Sequence, residues 1–426
     1  MFAAWLDILV ALAAAQAELG IIPADAADAI ARSASVDRLE LGLVAAETRR
    51  TSHSALGLIT ALRSALPEGA SEWVYYGASV QDLTDTWMVT VVRAVGAVAW
   101  RDLHAIEGAL LALANEHRHT PMAGRTHGQP GAPITFGLKA ASWADEVRRH
   151  IERLADGRGR WLVGQLGGAV GTLGFFGDGG PALRRAFCSR LDLGDPLVPW
   201  LTSRDRLAEF GLVMAMISAT LARVGTEVFE LARPEIGELG EPAGRGTVGS
   251  ITMPHKRNPE RSEHLDTLAR LVRANAGVLL EGMVGAHERD GRAWKAEWAA
   301  LPEVCLLTSS ALRLALDIVG DLEVDTHAMA ANIRARGGYL SSEEVLATLA
   351  ADLGKHRAQA RLQTVLADGQ ASGLSLAEAV AVSGLMSGAA VEAIVEHPSL
   401  RTAEHAVDAV IARAMAARAV EAEEWA

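Results

Sequence analysis

The chain has 426 residues and a formal charge of −12; half of its residues are apolar, yet only 5% are aromatic. That length allows a large core and more than one domain, and a composition rich in alanine and leucine fits a helical protein better than a β-sandwich. The acidic balance argues against a nucleic-acid partner, because phosphate binding needs a basic face, but it leaves room for a small anionic substrate held by a local site.

Cys188 and Cys305 are far apart. They give neither a disulfide framework nor metal-ligand spacing, so no metal site is expected and a cytoplasmic location is the default. The most apolar N-terminal run, Ile8 to Ala15, lies between Asp7 and Gln16. It is too short to span a bilayer and has no basic flank or cleavage pattern, so neither a membrane helix nor a signal peptide is read there.

Ala3 to Leu19 reads as a helix closed by Gly20, with Pro23 and Asp25 opening a second. His53 follows as a lone histidine, a type of residue that is more often structural than catalytic. Gly77 to Thr86 reads as a turn and a helix start. Ser79 and its neighbours can cap exposed N–H groups there, and the same free N–H groups suit a carboxylate. Leu83 to Glu116 carries a long helical pattern with few breakers, before Pro121. In Gly124 to Pro130, His127 lies between Thr126 and Gly128-Gln129. Such a histidine can deliver a proton near neutral pH or simply cap a helix. A second long helix is expected from about Ile134 to Leu154. Gly157 to Pro181 is dense in glycine. It lacks the G-x-x-x-x-G-K-[ST] pattern and a preceding strand, so it reads as a turn-rich segment rather than a phosphate cradle, with Thr172 a candidate pocket residue.

Leu207 to Leu231, Glu263 to Leu280 and Leu301 to Val319 carry apolar residues on more than one face. Such helices must be buried on several sides, and packing against partner chains is a natural solution. Between the first two lies Gly244 to Pro259, rich in glycine and broken by Pro254 and Pro259, hence a loop. It gathers the Ser250 hydroxyl, the Lys256 ammonium and the Asn258 amide. A base beside donors that hold a carboxylate suits proton abstraction next to that carboxylate, the donors stabilising the anion as it forms. The plainer reading is an inter-helix loop with polar residues facing water. Beyond about Ala330 the helical patterns shorten and charge increases. The expected division is a helical N-terminal domain at 1–80, a long-helix bundle at 81–328 and a helical C-terminal domain at 329–426.

Gly249 to Pro259 resembles the G-S-S-x-M-P-x-K-x-N-P signature of the fumarase/aspartase superfamily, departing from it at Ile251. The resemblance covers nearly the whole chain. It implies an all-α fold in which five long helices per chain form a bundle, with smaller helical N- and C-terminal domains. Four chains join into a tetrameric core and three of them contribute to each active site, so Ser250 and His127 need not come from one subunit. By the same resemblance Ser250 takes the proton, Lys256 and Asn258 hold the substrate carboxylate, and Met253 belongs to the same substrate-binding loop. Gly77 to Thr86 resembles the family's G-x-T-S-x-D-x-x-D-T region, with Ser79 for threonine and Val80 for serine, which removes one expected substrate contact. Thr126, His127 and Gln129 match its T-H-x-Q region, where the histidine serves acid/base chemistry on the leaving group. Glu263 matches the carboxylate that pairs with that histidine, and His53 matches a histidine near the substrate. The expected partner is a small dicarboxylate, and no metal or organic cofactor is required. Family members usually carry a segment before the first helix that supplies substrate contacts; here Met1 stands almost at the helix start.

His287-Glu288-Arg289-Asp290 is similar to the H-E-R-D of adenylosuccinate lyases. Trp298, however, stands where those enzymes grip a nucleotide phosphate with arginine, and an uncharged indole with one N–H cannot replace a bidentate guanidinium. The A-W-x-A-E-W…L-P-E pattern is closer to 3-carboxy-cis,cis-muconate cycloisomerases, some of which lack the histidine found here at position 127. Trp294 and Trp298 suit either a packed helix turn or a ligand wall. Three functions follow. The first is a lyase that releases fumarate from a 2-substituted succinate by C–N or C–O cleavage. The second is a lactonising cycloisomerase. The third is an inactive tetrameric scaffold, to which the Val80 and Ile251 departures point.

Overall fold

The computed structural model describes residues 1–53, 55–243 and 250–425; the 244–249 part of the expected loop lies outside them. The N-terminal layer contains α1 (Phe2–Glu18), α2 (Ala24–Ser33), α3 (Leu41–Thr51), α4 (Leu56–Ser64) and the short α5 (Glu68–Ser71). Gly20, at φ +69°, reverses the chain after α1, a conformation open to glycine without a steric penalty. Pro23, in extended backbone, leads into α2. Trp5, Leu9, Leu58 and Leu62 form the centre of this layer's core.

Five long helices form the bundle: α6 (Val80–Glu116), α7 (Phe136–Trp161), α9 (Asp205–Leu231), α10 (Glu260–Glu281) and α11 (Gly291–Val319). The short α8 (Gly180–Arg190) packs back on α1. Along the bundle α6 pairs with α7, α9 with α10 and α10 with α11. Glycines set some of these approaches. A Cβ on Gly211 would sit 2.4 Å from the Leu279 side chain, and one on Gly225 3.0 Å from Leu265, so α10 lies close against α9. Phe136, Trp143, Phe210, Met214, Val272 and Leu312 are buried between the helices. Both α9 and α11 are long and apolar enough to cross a membrane by length and composition, but 72% of the α9 window is buried inside the protein.

Two helix boundaries differ from the sequence expectation. Helix α7 runs on through Gly157 to Trp161, because the missing side chain at Gly157 leaves space for the Trp161 ring, whose nearest atom would be 2.1 Å from a Cβ there. Helix α11 starts at Gly291 rather than near Leu301, capped by the Asp290 carboxylate accepting from Arg292 N–H at 3.0 Å, and continues through Pro302. The hairpin formed by β1 (Pro121–Thr126) and β2 (Gln129–Thr135) was not expected from the sequence. A second small pair joins β3 (Leu239–Gly240) to β4 (Glu323–Val324).

After α12 (Thr326–Arg334), helices α13 (Ser342–Leu353), α14 (Lys355–Ala371), α15 (Leu376–Ser383) and α16 (Gly388–Glu396) share a small core of Val345, Leu362, Leu376 and Val391. Helix α17 (Arg401–Arg418) returns to the bundle, placing Val407 against Ala114, Ala140 and Ala141. Trp425 follows it into the main core, its indole N–H donating to the Leu154 carbonyl at 2.9 Å.

Candidate active site

His127 and Gly128 form the two-residue turn of the β1–β2 hairpin, at φ +52° and +74°. Two successive positive φ angles match the twist of paired strands, and glycine at the second position supplies one without strain. The turn holds His127 at an exposed hairpin tip, flanked by the exposed Thr126 and Gln129. This is a hairpin turn, not a helix cap. Behind the tip, Arg125 forms a bidentate pair with the fully buried Glu238, at 2.8 and 2.7 Å.

The described part of the signature loop starts at Ser250, which is half-buried and whose Oγ accepts from Met253 N–H at 3.1 Å. The Lys256 N–H donates to the Met253 carbonyl at 2.9 Å, folding this stretch into a turn. Lys256 and Asn258 line a cavity of about 810 Å³ together with Arg257, Glu323, Thr326 and His327. Thr326 and His327 were not singled out from the sequence, since they stand nearly seventy positions beyond the loop and come to it through the β3–β4 pairing and the Arg257–Glu323 pair. Arg257 spans the cavity edge, donating to both Glu323 oxygens at 3.0 and 3.1 Å and to the Glu241 carbonyl at 2.9 Å. Glu263 is exposed on the first turn of α10. Among the described residues no hydrogen bond or ion pair joins it to His127 within one chain.

Ser79 begins α6. Its N–H donates to the Asp82 carboxylate at 2.8 Å, and its hydroxyl oxygen accepts from Arg289 at 2.7 Å. Asp82 also accepts from the N–H groups of Gly167 and Gly168, at 2.7 and 3.1 Å. Burial pushes its carboxyl up to about 7, against the pull of those N–H groups and of Arg289. One turn on, Asp85 pairs with Arg204, which also holds Glu297, and Trp294 donates to Asp85 at 3.1 Å. Burial raises the Glu297 carboxyl's pKa, against the pull of Arg204. The carboxylates of this region therefore tie α6 to the glycine-dense segment and to α11, while Ser79 keeps a hydroxyl at the surface of that joint. Trp294 and Trp298 stack edge to face at 5.0 Å, packing the helix turn.

The remaining candidates lie elsewhere. The His53 Nδ1 accepts from Leu56 N–H at 3.2 Å, so its imidazole serves the start of α4. Thr172 is exposed and accepts from Gly174 N–H at 3.3 Å.

Residues 2–274 match the family described as Lyase. A relative from Dickeya dadantii, an N-acetyl-S-(2-succino)cysteine lyase, is 41% identical over 352 residues, covering 83% of this chain and 77% of its own. A nitrosuccinate lyase of Streptomyces davaonensis is 38% identical over 399 residues, covering 89% and 83%. Among solved structures, a 3-carboxy-cis,cis-muconate lactonizing enzyme from Pseudomonas putida superposes with a TM-score of 0.90 at 33% identity, covering 97% of this chain and 94% of its own. The chain belongs to the fumarase/aspartase superfamily of lyases. The protein is accordingly an enzyme with that superfamily's all-helical bundle fold. This superfamily member carries its candidate groups on three elements of one chain: the His127 hairpin tip, the Ser250–Asn258 loop and the Ser79 start of α6.

Proposed function

We propose that this enzyme eliminates a leaving group from a 2-substituted succinate and releases fumarate. The observation that carries the proposal is the His127 imidazole, held out on a two-residue turn with no partner in its own chain among the described residues. A group so placed is free to meet a substrate or a second subunit. Ser250, as alkoxide, takes the proton from the carbon beside the carboxylate. The electron pair moves into an aci-carboxylate stabilised by Lys256 and Asn258, then closes the new double bond as the substituent departs with its bonding pair. His127 protonates the departing atom. Serine is a weak base, so closure of the loop and the nearby Lys256 must lower its pKa.

The substituent to test first is a thioether, and then a nitro group, since the relatives named above act on such succinates. A thiolate is a better leaving group than an amine anion, but an alkanethiol stays protonated near neutral pH, so His127 has a proton to deliver to either. The likeness to the lactonizing enzyme supports a second reading, in which a carboxylate of 3-carboxy-cis,cis-muconate adds across a double bond.

We further propose a homotetramer, with Ser250 of one chain facing His127 and Glu263 of others. Exposed Leu212 and Met216 on α9, Leu271 and Val278 on α10 and Leu306 on α11 support it, because these apolar groups on the long helices call for a cover. In this reading the bundle unit 81–328 carries the site between the 1–80 and 329–426 units. Cys188 and Cys305 are free and buried, in keeping with a cytoplasmic enzyme.

The test runs the reaction backwards. Excess fumarate is incubated with simple thiols, nitrite, ammonia and amines, and succinate adducts are sought by mass spectrometry, with Ser250→Ala as control. An adduct that is lost in Ser250→Ala supports the elimination and identifies the leaving group. The same adduct in Ser250→Ala contradicts the role of Ser250, and no adduct with any nucleophile shifts the choice to lactonisation.

A further inference from the structure

We propose that Arg125, Glu238 and Asn332 form a clamp that fixes where the hairpin holds the His127 imidazole, making Arg125 and Glu238 positioning residues for proton transfer to the leaving group. The kinetic half of this inference rests on the proposed acid role of His127.

The hairpin alone cannot fix its tip. Two short strands are marginally stable by themselves, and β1–β2 also carries an irregularity between Ala123 and Arg125. The turn leaves His127 exposed, and among the described residues no hydrogen bond or ion pair holds its side chain. Two residues before the tip, however, the Arg125 guanidinium reaches inward. It donates from Nη1 and Nη2 to the two Glu238 oxygens at 2.8 and 2.7 Å, and from Nη1 to the Ala123 carbonyl at 3.2 Å. Asn332 Nδ2 donates to the same Glu238 carboxylate at 2.8 Å and to the Ile236 carbonyl at 2.9 Å.

Glu238 is itself anchored through its backbone. Its N–H donates to the Leu231 carbonyl at the end of α9, and its carbonyl accepts from Asp325 N–H at the start of α12, at 2.9 and 3.0 Å. The carboxylate side chain is 0% exposed and Arg125 16%. A planar guanidinium on a buried carboxylate fixes direction as well as distance, which a single point contact does not. Gly237 and Leu239, on either side of Glu238, line the cavity that holds Lys256 and Asn258. One buried carboxylate thus joins the hairpin of the proposed acid to the wall of the proposed carboxylate site.

The test uses Glu238→Gln, which keeps the shape and removes the charge. Arg125→Lys serves as a second variant, keeping the charge and losing the fork should Glu238→Gln fold poorly. Two readouts are taken on the full-length protein. The first is hydrogen exchange over residues 121–135, expected to speed up in Glu238→Gln and less so in Arg125→Lys, with the exchange of α9 and α10 unchanged. The second is turnover of a 2-thioether succinate. Misplacing a catalytic group by about 1 Å costs on the order of a hundredfold, so kcat should fall by about tenfold to a hundredfold while KM moves by less than about threefold. In a protein that already carries His127→Asn, a residue that tolerates the positive φ of this turn, Glu238→Gln should bring no further loss. Unchanged hairpin exchange in both variants overturns the clamp, whatever His127 does. Losses that multiply with His127→Asn overturn the claim that the clamp acts through His127. Full activity in His127→Asn refutes the acid role itself, and with it the kinetic half of the inference, a result distinct from a failure of the clamp.

Discussion

Arg289 donates a 2.7 Å hydrogen bond to the hydroxyl oxygen of Ser79, and the same nitrogen reaches the Gly168 carbonyl at 3.1 Å. The guanidinium has donors only, so the Ser79 proton is left free to point elsewhere, such as to a substrate carboxylate. Arg289→Met should raise KM by about tenfold, the worth of a hydrogen bond to a charged group, with a smaller change in kcat. Steady-state kinetics beside Ser79→Ala check this. Combining the two should cost little more than either alone.

Arg204 lies between Asp85 and Glu297 with all three side chains nearly inaccessible to water. Removing the cation leaves two buried carboxylates facing each other. Arg204→Met should therefore destabilise the fold by about 3–5 kcal/mol, read as a drop in the urea midpoint. Replacing Arg204 with Met and both carboxylates with their amides should recover part of that loss.

His150 is buried at α7. Its Nε2 meets the Thr220 hydroxyl at 2.8 Å, and Arg153 donates to its Nδ1 at 3.2 Å. Burial lowers its pKa from 6.5 to about 4, and the neighbouring Arg153 adds to the shift. The folded state therefore keeps the ring neutral while the unfolded chain takes up a proton below about 6.5. The stability from this residue is complete above that pH and falls as pH drops towards 4, by about 3 kcal/mol in all. Urea unfolding at neutral pH and near pH 4.5 should show a steeper loss in the parent protein than in His150→Gln.

A Cβ on Gly96 would lie 2.1 Å from the Trp425 ring. Gly96→Ala must displace that indole from the core, at a cost of about 1–3 kcal/mol. Tryptophan fluorescence should move to the red with the loss of stability. If Trp425 stays buried at full stability, the packing described here is wrong.

The long helices could be read from the sequence because their apolar periodicity outlasts local noise; α6, α9 and α10 lie within a few residues of the expected ranges. The start of α11 was hidden by Gly291 and Pro302, both of which argue locally against a helix that its packing nevertheless imposes. The β1–β2 hairpin was hidden too, since Pro130, Gly131 and Pro133 are poor strand residues and a His-Gly turn is not the usual signal. For the proposed site, the sequence nominates Ser250, Lys256, Asn258 and His127 by their motifs. It could not show that Asp82 and Asp85 serve as ties between helices, because their partners lie more than eighty positions away. Among the described residues the expected pairing of His127 with Glu263 is not made within one chain.

The most direct measurement follows fumarate release from a 2-(alkylthio)succinate, by ultraviolet absorbance and mass spectrometry, in the parent protein and in Ser250→Ala. The account predicts fumarate and free thiol in equal amounts from the parent protein, and neither from Ser250→Ala folded with unchanged stability. Fumarate formed equally fast by Ser250→Ala would contradict the serine base. Lactone formed from 3-carboxy-cis,cis-muconate, with no fumarate from any 2-substituted succinate, would contradict the elimination itself.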